Sequence, residues 1–161
     1  VRRQRQMCIR DRVKGVNQNG VCWRTGINLP EDDPDGIKNN YDEIVQLCKK
    51  GAIATSGNYR NFYIKDGKKY AHTINPRTGY PAEQSVLSAT IVANDCMTAD
   101  AYATAFMAMG LEKARQMADT LPEIEYYVIY ADESGTHQIE FSKGMLQYLP
   151  KRKTMISSDN S

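Results

Sequence analysis

The chain has 161 residues, of which 41% are hydrophobic and 25% charged, and its formal net charge is +2. This composition is typical of one soluble globular domain, and the near balance of charge gives no electrostatic argument for a nucleic acid or a membrane surface as partner. No apolar run reaches the roughly 18 to 20 residues of a membrane span, and the chain does not open with the apolar core of a signal peptide.

The first twelve residues, VRRQRQMCIRDR, contain five arginines. A basic arm of this kind can bind nucleic acid. However, RRQRQMCIRD resembles the translation of a transposon-end adapter used in DNA library preparation. We therefore interpret residues 1–12 as a foreign, disordered segment, and we expect the native N-terminal part of the protein to lie outside this chain.

Strand and turn signals alternate over the first half of the remaining chain. Residues 13–29 predict one or two short strands broken by a turn at residues 17–20, and residues 30–40 form a loop rich in Asp, Pro and Asn. Residues 42–50 fit either a helical turn or a strand. Small apolar residues follow at 51–56, and the turn Lys65-Asp66-Gly67 predicts a hairpin between residues 59–64 and 68–73.

The second half begins with SVLSATIVA at residues 85–93, a β-branched segment that predicts a buried strand. Thr98 is a candidate N-cap for a helix that continues to residue 109, and Gly110 ends it. A second helix covers residues 111–121, and strands at 125–130 and 138–141 flank a turn. The hairpins favour an α+β fold with an antiparallel or mixed sheet and two consecutive helices, followed by a frayed tail at residues 151–161.

The four cysteines form no CxxC pair and no cluster with histidine, which argues against a zinc site and does not indicate a disulfide framework. His137 lies in a turn context and is expected to be exposed. The Tyr126-Tyr127 pair and Met107 are expected to pack in the core.

Three short segments carry possible chemistry. ATSGNYR, from Ala54, places small hydroxyl residues around a glycine, which suits a close approach to a ligand or an ordinary strand-to-turn junction. HTINPRTGYP presents His72 and Arg77 on a loop stiffened by prolines; the imidazole can act as a base and the guanidinium can neutralise phosphate charge, although a polar surface turn has the same composition.

The third segment is MTADAYAT. Asp100 and Thr104 are four residues apart, so on a helix their oxygens project from one face and can coordinate Mg²⁺. The alternative is that Asp100 only stabilises the helix N-terminus and Thr104 packs.

In this order the three segments resemble those of the ApbE family of flavin transferases, and the resemblance covers residues 13–149. It implies an FAD:protein FMN transferase that uses FAD and Mg²⁺ to attach FMN to a threonine of an acceptor protein, with release of AMP. Asp100 and Thr104 would bind the metal, and His72 would be the base, with Arg77 near the phosphates. FAD would contact the backbone at Thr73 and Ile74, and the remaining cofactor-binding residues would be Ser56 and Gly57.

The resemblance further implies that residues 13–150 are the C-terminal part of the flavin transferase domain. The full-length protein is then expected on the periplasmic face of the inner membrane as a lipoprotein, with subunits of Rnf- or Nqr-type electron-transport complexes as acceptors and no nucleic acid partner. Two alternatives stay open: an FAD pyrophosphatase that releases FMN and AMP, and an FAD-binding module without catalysis.

Overall fold

The computed structural model describes residues 9–29, 41–57, 62–65, 68–71, 86–132 and 136–150. Within these ranges the chain forms strands, two α-helices and a 3-10 helix at Lys143–Tyr148. The elements are β1 (Ile9–Val13), β2 (Trp23–Asn28), β3 (Tyr41–Leu47), β4 (Gly51–Gly57), β5 (Phe62–Lys65), β6 (Lys68–Ala71), β7 (Val86–Ala93), α1 (Cys96–Met109), α2 (Leu111–Ala118), β8 (Glu125–Ala131) and β9 (His137–Phe141).

The main sheet has five strands in the order β1-β4-β7-β8-β9, and every neighbouring pair is antiparallel. Within the described residues, β2 pairs only with β3, and β5 pairs only with β6. The expected α+β fold with two consecutive helices is confirmed, and the sheet is purely antiparallel in the described part of the chain.

Side chains on β4 and β7 alternate between two hydrophobic cores, as the period of two in a strand requires. Ala52 and Ala54 on β4 face α1, where they meet Ala99 and Ala103 of the helix. These small side chains on both elements allow the helix to pack close to the sheet. α1 lies across β4 and β7, and α2 contacts β8.

The second core lies on the opposite face of the sheet. Ile53 and Tyr127 point to this side and pack under the β2–β3 pair, which contributes Ile27 and Val45. Met145 of the 3-10 helix is also fully buried here. The main sheet is therefore covered on both faces, by helices on one and by β2–β3 on the other.

Two details of the helices differ from the sequence expectation. The N-cap of α1 is Asp95, not Thr98, because the Asp95 carboxylate accepts a hydrogen bond from the Thr98 backbone N–H at 2.9 Å. Gly110 ends α1 as expected, with a φ of 81° that favours glycine. α2 ends at Ala118, and the chain from there to residue 121 continues as a hydrogen-bonded turn.

Residues 9–12 belong to the fold, in contrast to the expectation that residues 1–12 are disordered. They form most of β1, which pairs with β4 from Ile9 opposite Thr55 to Val13 opposite Gly51. Main-chain hydrogen bonds do not depend on side-chain identity, so an arginine-rich segment can extend the sheet. The foreign origin of this segment stays a prediction.

A disulfide joins Cys22 and Cys48, which the spacing of the cysteines did not indicate. The two residues directly precede and follow the paired residues Trp23 and Leu47. The pairing of β2 with β3, two strands that are distant in sequence, therefore brings the two thiols together. Of the described cysteines, Cys96 is free.

Several local expectations are confirmed. The Asn17 side chain accepts hydrogen bonds from the backbone of Asn19 and Val21, which closes the turn at residues 17–20. The segment at 42–50, for which helix and strand were both possible, forms most of β3, which begins one residue earlier. Lys65 pairs with Lys68, as the hairpin signal required. The loop at 30–40 and the tail at 151–161 lie outside the described residues.

Candidate functional site

Ser56 and Gly57 end strand β4. Ser56 pairs with Ala89 of β7 and is only 4% exposed, and Gly57 pairs with Ser88. Because Ser56 lies two and four residues after Ala54 and Ala52, it shares the face of the sheet that packs against the helices. The first of the three motifs thus ends on the helix side of the sheet.

Asp100 and Thr104 lie in the middle of α1, about 6 Å apart along the helix axis at 1.5 Å per residue. Both flank the buried stripe that includes Ala103 and Met107. Asp100 is half-buried and Thr104 is exposed. The carboxylate and the hydroxyl, one turn apart, therefore share one flank of the helix at the margin of the helix–sheet packing.

The packing of α1 brings the first and third motifs to the same side of the molecule. The helix contacts β4 and β7 directly, and Ser56 lies on the face that it covers. Ser56 and Asp100, which are more than forty positions apart in sequence, therefore lie in two adjacent layers of the fold. The sequence could not show this, since it depends on which face of the sheet the helix covers.

A hydrogen bond joins β4 and β7 beside this region. The hydroxyl groups of Thr55 and Thr90 are 2.8 Å apart, and they lie on the opposite face of the sheet from Ser56. Thr90 is fully buried. This pair holds the end of β4 against β7 and so positions Ser56 and Gly57.

The start of α1 is fixed by Asp95, which sequence reasoning missed. Its carboxylate accepts hydrogen bonds from the backbone N–H and from the hydroxyl of Thr98, both at 2.9 Å. These bonds, the backbone bond first, hold the pKa of Asp95 below its ordinary value. The available signal was the aspartate itself, a preferred N-cap residue that directly precedes the helical segment. Asp95 thereby sets the position of Asp100, one and a half turns further on.

A cavity of about 370 Å³ lies beside this N-terminus and is lined by residues that include Thr98, Tyr102 and Glu123. Neither Asp100 nor Thr104 lines it. With 100° between successive residues, Tyr102 and Thr104 project from roughly opposite flanks of α1. The cavity is therefore separate from the predicted metal ligands.

The chemistry of the Asp100–Thr104 pair fits Mg²⁺, which takes oxygen ligands and keeps several of them as water or substrate oxygens. Among the described residues, no three His, Cys, Asp or Glu side chains come together at one point. The assignment of Asp100 and Thr104 as ligands of a metal ion therefore stays a prediction.

The second motif lies outside the described residues, so the assignments of His72, Arg77, Thr73 and Ile74 stay predictions. Among the described residues, His137 is exposed on β9, as expected. Tyr126 and Tyr127 are buried in the two cores, and Met107 is fully buried. These residues are structural, as the sequence indicated.

Comparison with known proteins gives a consistent result. The model of the ApbE family matches residues 11–128. The chain is 43% identical over 108 residues to the FAD:protein FMN transferase of Vibrio cholerae, covering 67% of this chain and 31% of that protein. It is 38% identical over 104 residues to the Escherichia coli K12 FAD:protein FMN transferase, covering 65% and 28%.

Solved structures show the same likeness. The flavin transferase ApbE from Vibrio cholerae superimposes with a TM-score of 0.71 at 36% identity, over 87% of this chain and 42% of that one. The ApbE protein from Thermotoga maritima gives a TM-score of 0.67 at 30% identity, over 86% and 42%.

The chain thus spans about three tenths of the length of these curated relatives and about four tenths of the solved chains. The family match nevertheless covers most of its residues, including the ATSG, His72 and Asp100 motifs. The chain belongs to the ApbE family.

Proposed function

We propose that the protein to which this chain belongs is an FAD:protein FMN transferase that requires Mg²⁺. The observation that carries the proposal is the packing of α1 over β4, which puts the Asp100–Thr104 pair and Ser56 on one side of the sheet. The relatives named FAD:protein FMN transferase support the same reaction.

In the proposed reaction, a threonine hydroxyl of the acceptor protein attacks the FMN-side phosphorus of FAD. A phosphate ester bond forms to the threonine oxygen, the bond between the two phosphates breaks, and AMP leaves. The hydroxyl proton is taken up by His72, whose unperturbed pKa of about 6.5 suits a base at neutral pH.

Asp100 and Thr104 would hold the metal through one carboxylate and one hydroxyl oxygen. Mg²⁺, when bound, neutralises charge on the two phosphates. Arg77 adds a fixed positive charge beside them, or holds the loop in place. The backbone at Thr73 and Ile74 binds FAD, and Ser56 and Gly57 border the site.

Subunits of Rnf- or Nqr-type electron-transport complexes are the proposed acceptors, with the enzyme as a lipoprotein on the periplasmic face of the inner membrane. The Cys22–Cys48 disulfide supports an exported protein, because disulfides persist in oxidising compartments such as the periplasm. None of the helices in the described part of the chain is long and apolar enough to cross a membrane.

The test is a transfer assay on the complete protein, including the part that its relatives possess and this chain does not. The protein is incubated with FAD, Mg²⁺ and an acceptor subunit, while the acceptor mass and the AMP concentration are followed together. We expect a mass gain of one FMN per acceptor, matched by AMP, and loss of both with EDTA or in Asp100→Ala and Thr104→Ala.

Asp119→Ala is a matched control, since Asp119 is an exposed carboxylate that follows α2; it should retain full activity. AMP release without labelling of the acceptor would identify an FAD pyrophosphatase instead. Stable FAD binding without either product would identify a binding module and overturn the catalytic proposal.

A further inference from the structure

Three apolar side chains are exposed together at one end of the molecule. Val16 is 49% exposed, Val21 53% and Trp23 44%. Val16 and Cys22 form a β-bridge, so the segment folds back on itself and brings Val16 beside Val21 and Trp23. Trp23 then opens strand β2 opposite Leu47.

Three lysines lie at the same end. Lys14 directly follows Val13, which pairs with Gly51, and Lys49 and Lys50 directly precede Gly51. All three are exposed. The disulfide from Cys22 to Cys48 links this lysine segment to the apolar one. We call Lys14, Val16, Val21, Trp23, Lys49 and Lys50 the disulfide-end surface.

This surface has a net positive charge, because its cations outnumber the acidic groups near it. A cavity of about 510 Å³ under Lys49 and Lys50 is also lined by Glu123 and Glu125. Glu125 is engaged internally, since its carboxylate accepts a hydrogen bond from the Ser142 hydroxyl. Both carboxylates keep their negative charge, and exposed Asp11 adds a third acidic group near this end. The three lysines, together with exposed Arg12 and Arg24, outnumber these three carboxylates.

A small apolar cluster that contains a tryptophan and is flanked by lysines matches the chemistry of the membrane–water interface. Tryptophan partitions to the headgroup level, and lysines near an anionic surface strengthen binding. We propose that the disulfide-end surface binds the surface of an anionic bilayer, with Trp23 and the two valines at the headgroup boundary. This proposal does not depend on the flavin transferase reaction.

The net charge of +2 gave no electrostatic argument for a membrane partner. The structure shows, in addition, where the positive charges lie. Residue 14 is far in sequence from residues 49 and 50, and the pairing of β1 with β4 brings the three lysines to one end. A bilayer within a Debye length, about 8 Å at physiological salt, responds to this local charge and not to the total.

Vesicle binding tests the proposal on the complete protein, prepared without lipid modification. Flotation with phosphatidylcholine vesicles is compared with flotation of vesicles that also contain phosphatidylglycerol. Trp23 is the single tryptophan of these 161 residues. The difference between the fluorescence spectra of the wild type and Trp23→Phe therefore reports its environment, whatever tryptophans the remainder of the protein carries.

We expect binding to the anionic vesicles only, a blue shift of the Trp23 signal, and weakening by salt. The triple variant Lys14→Glu/Lys49→Glu/Lys50→Glu should lower the binding constant by roughly 100-fold or more. Val16→Ser/Val21→Ser should weaken binding and reduce the blue shift. Circular dichroism confirms that each variant is folded.

Two control variants are matched in chemistry and lie elsewhere. Lys113→Glu/Lys143→Glu reverses two exposed lysines, and Met97→Ser/Ile139→Ser removes two exposed apolar side chains; both should bind as the wild type does. Equal losses in the controls, or no binding, would overturn the proposal. The proposal would also be overturned if the Trp23 fluorescence were protected from acrylamide quenching before vesicles are added, because the surface would then be covered by protein.

Discussion

At the scale of single residues, Glu140 joins helix α2 to the edge of the main sheet. Its carboxylate accepts hydrogen bonds from Arg115 Nε at 2.8 Å and from Arg115 Nη2 at 2.5 Å, and a third from the Tyr126 hydroxyl at 3.2 Å. The Arg115 bonds are the main cause of a pKa of Glu140 below the ordinary value. Burial, followed by the Glu140 charge, raises the pKa of Tyr126 to about 12.

Glu140→Gln should therefore lower the free energy of unfolding at pH 7, by about 0.5–1 kcal/mol for a partly exposed pair. A carboxyl whose folded pKa is depressed stabilises the fold above its unfolded pKa, roughly 4.3, and this contribution is lost as the pH falls through the folded value. The difference between variant and wild type should therefore shrink below about pH 4. Urea denaturation between pH 3 and pH 8 measures it.

Glu112→Gln is the matched control. Glu112 contacts Arg115 at 2.9 Å from the neighbouring turn of α2, but its side chain is 69% exposed. Its replacement should change stability less than the Glu140 replacement does. An equal loss in both variants would contradict the view that the bidentate bond to Glu140 is the important one.

Residue spacing could predict some of these features and not others. The four-residue interval between Asp100 and Thr104 is enough to place both on one flank of a helix. Arg115 and Glu140 are 25 residues apart and meet only because α2 packs along β8 and β9. Contacts between elements need the packing, which residue spacing does not contain.

At the scale of elements, the β2–β3 pair covers the second core and is closed at one end by Cys22–Cys48. Its buried side chains Ile27, Val45 and Leu47 lie directly over the main sheet. The covalent link spans 26 positions of sequence. It therefore restrains the long segment between the two strands in the unfolded chain.

Cys22→Ser/Cys48→Ser should lower the free energy of unfolding by about 3 to 4 kcal/mol, the loop-closure contribution for a link of this span. Thermal unfolding followed by circular dichroism measures the loss. Dithiothreitol should reproduce it in the wild type and leave the double variant unchanged. Cys96→Ser, at a free thiol, should behave as the wild type; a comparable loss there would contradict the assignment.

Element type was predictable where composition is strongly biased, as in the β-branched β7 and the alanine-rich α1. The element type stayed open at β3. The alternation of buried and partly buried side chains at residues 42–47 arises because the strand packs on the second core. The sequence predicted that α1 begins after Thr98, whereas the helix begins at Cys96. Asp95 precedes any helical periodicity, and its capping role depends on a hydrogen bond to Thr98.

At the scale of the whole molecule, one five-stranded sheet separates two cores. The outer edge of β4 is closed by β1, whose residues 9–12 were expected to lie outside the fold. An unpaired strand edge exposes a row of main-chain donors and acceptors and promotes aggregation. Strand β1 therefore covers the edge of β4 and is itself the outer strand on this side of the sheet.

Deleting residues 1–12 should lower the stability by about 1 kcal/mol for each main-chain hydrogen bond lost, and should increase aggregation. Replacing residues 9–12 by four threonines should keep both close to the wild type, because main-chain pairing remains available. Denaturant unfolding and light scattering separate the two variants. If the deletion left both properties unchanged, β1 would contribute nothing to the fold.

The pairing of β1 with β4 has a consequence for the comparison of related chains. An edge strand held mainly through its peptide groups is recognised by its extended shape, and evolution can rewrite its side chains while the architecture persists. Two members of a family can therefore share this strand in three dimensions and show no resemblance along it in an alignment. At such an edge, a difference in sequence between two relatives reflects weak selection on the side chains. It does not indicate that the backbone structure has changed.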